Sequence, residues 1–444
     1  MTNLLIVGVA ILLGVLLKVS PILFFVAIVL IAGIIILKCN YEVAVYVMAM
    51  YSILDYGLRK VVPSLAGAWD DLALIALLCL VVYKWILYRK EPDFKWSPVD
   101  VPIFMYVCIN IVCVFANPYE MNIVLEGLRA NVEYIFFFFA FFQLIKGKNS
   151  VKIIYMVLIG TVFLISLHGI YQYIIGVEMP PGWVDSVETG IRTRAYSIIG
   201  SPNILGSLIA LVSPLVLGMM LIEKKYIIKL MYLCIYGAML LCLVVTYSRG
   251  AWFVFLGGMF VYLLVKDIRL LIPAIIGVVL ILVFIPSIGD RLSYMFSMDY
   301  IQSSLKGGRL VRWLDGLQSV AANPVFGVGL GHIGGAVATN NEVLGHYYMD
   351  NYYLKIAAEI GLVGLFFLFN LMYRVVKWGF FGVIRIKDKE SKELMLSGFV
   401  GVIAIVANNL VENIFEVPMM VVVFWMLVAC ILNLWFYDES SYAK

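Results

Sequence analysis

Six arginines stand out among the polar residues of this chain: Arg192, Arg194, Arg249, Arg291, Arg309 and Arg312. Five lie in two polar stretches, residues 176–200 and 287–353, where Lys306 is the accompanying lysine, and Arg249 stands at SRGAW, just after the apolar run 227–247. A guanidinium keeps its charge at any relevant pH and offers a planar fork of donors, which suits bidentate binding of phosphate and pyrophosphate. The competing reading is pairing with the acids Asp185, Glu188, Asp315 and Glu412. The residues able to move a proton are few. Asp350, His332 and His346 share the second stretch, and a carboxylate at a partly dry boundary can serve as a general base. Asp350 also stands just before an apolar run, where it could equally cap a helix. His168 falls inside an apolar run and reads as a packed or hydrogen-bonded core histidine.

Two other patterns are weaker. Gly327-Val328-Gly329-Leu330-Gly331 lacks the GK[ST] ending and the strand–helix setting of a nucleotide loop, so it reads as tight turns that bring His332 back toward the membrane surface. The seven cysteines, Cys39, Cys79, Cys108 and Cys113 among them, show no CxxC or Cys/His spacing. That points away from a disulfide framework and from a zinc site.

The elements that must position these residues follow from composition. Of 444 residues, 64% are hydrophobic and 14% charged, whereas a soluble domain carries roughly a quarter of charged residues. Apolar runs recur at about the 20 residues needed to cross a hydrocarbon core. In lipid such runs must close their own backbone hydrogen bonds, and no alternating barrel pattern is present, so the expected fold is an all-α polytopic membrane protein. Candidate spans fall near 3–17, 20–38, 41–57, 70–88, 100–117, 127–145, 151–175, 201–222, 227–247, 251–266, 269–286, 354–376, 394–411 and 414–437, giving 12–14 transmembrane helices. The first run has no small-residue cleavage site after it and reads as an uncleaved helix. Alternate loops carry Lys84, Arg89 and Lys90; Lys146, Lys148 and Lys152; Lys224, Lys225 and Lys229; Lys266 and Arg269; and Lys377, Arg385, Lys387, Lys389 and Lys392. By the positive-inside rule these are cytoplasmic, which leaves both arginine stretches on the far side and both termini inside. The chain divides into N-terminal helices (1–175), a first outer loop with central helices (176–286), a large extracytoplasmic loop (287–353) and C-terminal helices (354–444). Within the large loop, LVRWLDGLQSVAANP reads as an amphipathic helix stopped at Asn323-Pro324.

Four ordered segments resemble the O-antigen ligase and O-antigen polymerase superfamily of membrane glycosyltransferases. They are RTRAYSIIGSPNILGSLIALVSPL, TYSRGAW, GGRLVRWLDGLQSVAANPVFGVGLG and DNYYLKIAAEIGLVGL, and they cover roughly residues 190–376. Each is weak alone; their order and shared side make them specific. The resemblance implies a GT-C-like helical bundle in the bacterial cytoplasmic (inner) membrane with its active site on the extracytoplasmic side. It also implies a donor glycan on undecaprenyl pyrophosphate, a glycan or lipid-linked acceptor, and no metal or cofactor. By carry-over, Arg194, Arg249, Arg309 and Arg312 are the candidate pyrophosphate-binding residues. Asp350, with His346 as a substitute, is the candidate base. Asn351, His332 and Asn203 are candidates for positioning substrate. Where ligases of the family place a histidine at the head of the last motif, this chain has Asp350, which favours a repeat-unit polymerase over a ligase.

Three functions are therefore expected in descending order: a polymerase of lipid-linked repeat units, a ligase for finished glycan, and a lipid-linked oligosaccharide flippase. The last predicts polar residues in mid-span, where only Glu133 and His168 stand out, and an inverted repeat between the halves is not evident. A chain-length regulator and a flippase are expected partners, and nucleic acid is not.

Overall fold

The computed structural model describes residues 40–442 apart from 66, 88–93, 118–119, 181–192, 285, 307 and 344–347. His346, Arg192, Asp185 and Glu188 fall outside these residues, as do the candidate spans 3–17 and 20–38. Among the described residues the protein is a helical bundle without strands. Its helices are α1 (Val43–Met48), α2 (Tyr51–Val61), α3 (Trp69–Leu87), α4 (Asp100–Ala116), α5 (Met121–Val132), α6 (Phe136–Leu144), α7 (Lys148–Ile175), α8 (Pro202–Ile222) and α9 (Tyr226–Val245). They continue with α10 (Arg249–Lys266), α11 (Leu271–Phe284), α12 (Pro286–Tyr294), α13 (Met298–Leu305), α14 (Arg309–Ala322), α15 (Ala336–Asn340), α16 (Tyr352–Arg385), α17 (Lys389–Asn408) and α18 (Pro418–Tyr442).

Six described helices are long and apolar enough to cross a membrane: α7, α8, α9, α10, α16 and α18, the last over Pro418–Asp438. The protein is an all-α, multi-pass membrane protein. Three candidate spans are not single unbroken helices, that at 354–376 being interrupted at Gly361. Residues 41–57 break into α1 and α2, and 127–145 breaks at a 3-10 turn, Glu133–Ile135. Glu133, expected in mid-span, sits in that break and pairs with Arg129. A carboxylate beside a guanidinium tolerates burial, and the break brings them together.

Of the six long apolar helices, α18 and α8 are the most enclosed, and α8 positions the arginine end. It lies among α7, α9, α10 and α17, with small residues at the crossings. A Cβ on Gly206 would stand 2.7 Å from the Cβ of Ala251, and one on Gly401 would strike the carbonyl of Leu211. Close approach of this kind supplies the dispersion contact that drives helix association in lipid, where the hydrophobic effect is absent. The lysine loops meet at one end of the bundle. There Lys148 pairs with Asp388 and Glu390, each at 2.9 Å, Lys152 pairs with Glu390, and Lys266 with Glu393. The arginine segments gather at the opposite end, so the alternation read from the loops is reproduced in three dimensions.

That arginine end depends on a broken helix. Within α16, Gly361 has φ 73° and ψ −179°, which interrupts the hydrogen-bond ladder. The glycine-rich turn fills the gap. The N–H groups of Val328 and Gly329 donate to the carbonyls of Ala358 (2.9 Å) and Glu359 (3.0 Å), and the N–H of Leu362 donates to Pro324 (2.8 Å). Each group orphaned by the break would otherwise be an unpaired polar atom inside the protein. The turn is thus a splint for α16, and α14, ending at Ala322 with Asn323 as its C-cap, delivers the chain into it.

The half of α16 before the break is pinned on two sides. Tyr352 N–H donates to Asn409 (2.9 Å), and the Tyr353 hydroxyl to Val406 (2.6 Å), both at the end of α17. Lys355, fully buried, bridges Glu359 (3.0 Å) and Glu416 (2.8 Å). A buried charge held by two carboxylates fixes geometry, because losing one partner strands the others. We expect Gly361→Ala to destabilise the protein by at least about 1–2 kcal/mol from its positive φ alone, and by more because its Cβ would strike the Val325 carbonyl. Gly277→Ala, whose Cβ meets nothing within 4 Å, should be neutral. Melting in detergent compares the two.

Candidate active site

Three helix N-termini face one cavity of about 510 Å³. At α8, Ser201 caps the Ile204 N–H and Pro202 and Asn203 open the helix. At α10 and α14 the preceding residues, Ser248 and Gly308, make no side-chain cap, and Arg249 and Arg309 occupy the first helical positions. Unpaired N–H groups and the positive ends of helix dipoles favour an anion there. The guanidiniums of Arg194, Arg249, Arg291, Arg309 and Arg312 line the same cavity, together with Asp350 and Glu412.

The side chains form a connected row. Buried Arg194 donates through Nε to the Thr246 carbonyl (2.8 Å) and through Nη2 to Asn203 Oδ1 (2.9 Å). Asn203 Nδ2 donates to Glu412 Oε2 (3.0 Å), which also accepts from Arg309 Nη2 (3.3 Å). Arg309 Nε reaches Asp350 Oδ2 (3.3 Å), and Arg312 Nη1 lies 3.0 Å from the same oxygen. Arg312 further donates to the carbonyls of Gly308 and Tyr348. On the other wall, the Arg249 guanidinium stacks 5.1 Å from the Tyr300 ring centre and 5.9 Å from that of Tyr294. Arg291 is buried and donates through Nε to the Tyr247 carbonyl (2.8 Å), whose residue holds the unusual φ of 50°. A non-glycine residue at positive φ is strained, and this one turns its carbonyl toward the arginine.

The two carboxylates differ in character. Asp350 is clamped by Arg309 and Arg312, and its carbonyl accepts from Trp313 Nε1 (3.3 Å). Glu412 is as enclosed as Asp350, at 9% against 8% exposure, but accepts from one guanidinium and one amide. Burial pushes its carboxyl up to about 7, and the nearby Asp350 charge adds to this, against the opposing pull of Arg309, Asn203 and Arg194. A carboxyl poised near neutrality beside a cation-lined cavity is suited to proton transfer.

Of the residues singled out in the sequence, Arg194, Arg249, Arg309, Arg312, Asn203 and Asp350 converge here. Asn351 adjoins Asp350, but its Oδ1 accepts from the Leu354 N–H (3.0 Å), so the helix cap is Asn351 and not Asp350. His332 does not line the cavity. Its Nδ1 lies 2.9 Å from the Leu330 carbonyl, inside the glycine turn. His168 is hydrogen-bonded, as expected, to Ser197 Oγ (3.0 Å), yet it lies on the exposed side of α7 rather than in the core. Sequence reasoning noted Arg291 and Glu412 without assigning either to the site. Arg291 could have been found as another arginine of the same stretch; for Glu412 the signal was a lone acid in a short polar break between two apolar runs.

Residues 234–369 match the family model described as O-antigen ligase. That segment, about a third of the chain, is similar to the O-antigen ligase family. The matched domain contains Arg249, Arg291, Arg309, Arg312 and Asp350, while Arg194, Asn203 and Glu412 reach the cavity from outside it. Among curated proteins nothing matches the chain. A cavity rich in guanidinium at the end of a bundle suits an anionic ligand.

Because the folded pKa of Glu412 lies above the ordinary glutamate value of 4.5, its contribution to stability is complete below that value and is lost as pH rises through about 7. Thermal melting should show the wild type losing stability between about pH 5 and pH 8, with a shallower slope for Glu412→Gln, which cannot ionise.

Proposed function

We propose that this protein polymerises lipid-linked oligosaccharide repeat units into a surface polysaccharide on the extracytoplasmic face of the bacterial cytoplasmic membrane. The observation that carries this reading is the single cavity in which five arginines, three helix N-termini and two carboxylates meet. A glycan attached to undecaprenyl pyrophosphate presents a multiply charged head at that boundary. Arg194 from one wall and Arg249 and Arg291 from the other hold the pyrophosphate, and Arg309 and Arg312 extend the field beside Arg194.

In the transfer, the acceptor hydroxyl oxygen forms a bond to the anomeric carbon of the donor sugar. The bond from that carbon to the pyrophosphate oxygen breaks, and its electron pair leaves with the pyrophosphate. Guanidiniums already in place stabilise the charge as it develops, at no reorganisation cost. The hydroxyl proton goes to a carboxylate. Glu412 is better suited to accept it than Asp350, which is committed to two guanidiniums and serves to hold Arg309 and Arg312 in position. Support for a polymerase over a ligase comes from the aspartate at the head of the last motif. A second reading, transfer of finished glycan to another acceptor, draws support from the family description, O-antigen ligase.

Arg249→Ala and Arg291→Ala should each lower transfer by about 10²–10³, the effect of removing one donor to a developing charge. The check is glycan analysis in cells that lack the native enzyme and carry each variant. A lost polymerase leaves single repeat units on the final acceptor, whereas a lost ligase leaves long polymer on the carrier lipid. Full-length polymer from both variants would exclude the site. In purified form, Glu412→Gln should remove the rise of activity through about pH 7, while Asp350→Asn should keep the limb at reduced rate.

A further inference from the structure

The segment between α11 and α16 turns an apolar face outward. On α14, Leu310, Leu314 and Leu317 recur at helical spacing and are exposed, the last at 55%. The charged residues of this helix lie elsewhere. Arg309 and Arg312 line the arginine cavity, and Asp315 falls off the leucine stripe by its spacing. The turn before α13 and α13 itself add Phe296, Met298, Ile301 and Leu305, all exposed. A contiguous apolar patch of this kind marks a contact with something other than water.

The ends of α14 locate that contact. Its first residue, Arg309, meets Glu412 in the turn that follows α17 (3.3 Å). Just past its last turn, the carbonyls of Phe326 and Gly327 accept from Asn117 Nδ2 (3.3 and 3.2 Å), and Asn117 is the C-cap of α4. Both ends are thus level with the ends of apolar helices of the bundle, so α14 lies across the bundle end and does not project from it. The apolar face is also continuous with surface that faces lipid. Beyond the stripe come Val325 and Phe326, both exposed. Pro324 beside them accepts from the N–H of Leu362, which is exposed with Phe366 on the membrane-crossing helix α16. On the other side, Met295 and Tyr300 share a cavity wall with Phe253 and Val254 of α10, another crossing helix.

We infer that α13 and α14 form an interfacial helix pair, immersed through these side chains in the leaflet at the arginine end, and that bulk membrane lipid is the partner of this face. A helix with one strongly apolar face seats about 5–10 Å into the boundary between headgroups and acyl chains. The 287–353 segment is then in part a membrane-embedded element and not wholly a water-exposed loop. Arg309 and Arg312 stand on the inward face of the same helix, so the leaflet surface sets their height above the hydrocarbon. The inference goes beyond the glycan-transfer reading and holds whatever anion the cavity takes.

The test is photo-crosslinking of the full chain in nanodiscs of phosphatidylethanolamine and phosphatidylglycerol. The photoreactive residue p-benzoylphenylalanine replaces Leu314 or Leu317, positions whose exposure leaves the packing undisturbed. Asn340, exposed and polar at the end of α15, is the control position. After irradiation, adducts are identified by mass spectrometry. Phospholipid adducts at 314 and 317, and none at 340, are the expected result. Adducts to a second copy of the chain in place of lipid would overturn the inference, because the face would then be an interface between copies. It would be overturned equally by probes at 314 and 317 that form no adduct and so meet only water, or by lipid labelling at 340 as strong as theirs.

Discussion

Everything at the arginine end answers one electrostatic constraint: like charges must be held together where water is scarce. Five guanidiniums share a cavity with two carboxylates, and 5 − 2 leaves an excess of three positive charges. Such groups repel one another more strongly as the local dielectric falls. Arginine is the cation that survives this, because it is weakly hydrated and cannot shed its proton. The arrangement persists because each guanidinium is anchored to something other than its neighbours. Arg194 and Arg291 bind backbone carbonyls at Thr246 and Tyr247, Arg249 stacks on tyrosines, and Arg309 and Arg312 share Asp350. On the proposed reading an arriving pyrophosphate would relieve the repulsion, because the excess positive charge is held in place before any anion binds.

The scaffold explains how such anchoring is achieved. The first half of α16 carries Asp350 at its head and is fixed by the glycine splint, by the Lys355 bridge to Glu359 and Glu416, and by the carbonyls closing α17. The turn bearing Glu412 follows directly from α17. Asp350 and Glu412 are therefore placed by the same contacts, and Arg309 spans them. Through Asn203 the row continues to Arg194.

Much of this was legible in the sequence because the signals were local. Apolar run length anticipated the six long apolar helices among the described residues, the alternation of lysine loops anticipated the lysine end, and the crowding of arginine into the other loops anticipated the lining of the cavity. What escaped was of two kinds. The break inside α16 is made tolerable by partners distant in the chain, the Val328 and Gly329 amides that pair with its freed carbonyls. Asn351 rather than Asp350 caps α16 because the arginines of α14 claim the aspartate, a contact that spacing along the chain does not reveal. Glu412 was visible only as a lone acid, and its role comes from burial and from Asn203, some two hundred residues earlier. The glycine run was read as tight turns, and its service to α16 depends on a tertiary contact.

The measurement that bears most directly on the account is a structure of the full chain in a lipid nanodisc with undecaprenyl pyrophosphate bound. The account predicts both phosphates within hydrogen-bond reach of Arg194, Arg249 and Arg291, at the N-termini of α8 and α10. Phosphates seated elsewhere on the bundle, with the five-arginine cavity still holding only its own Asp350 and Glu412, would contradict it.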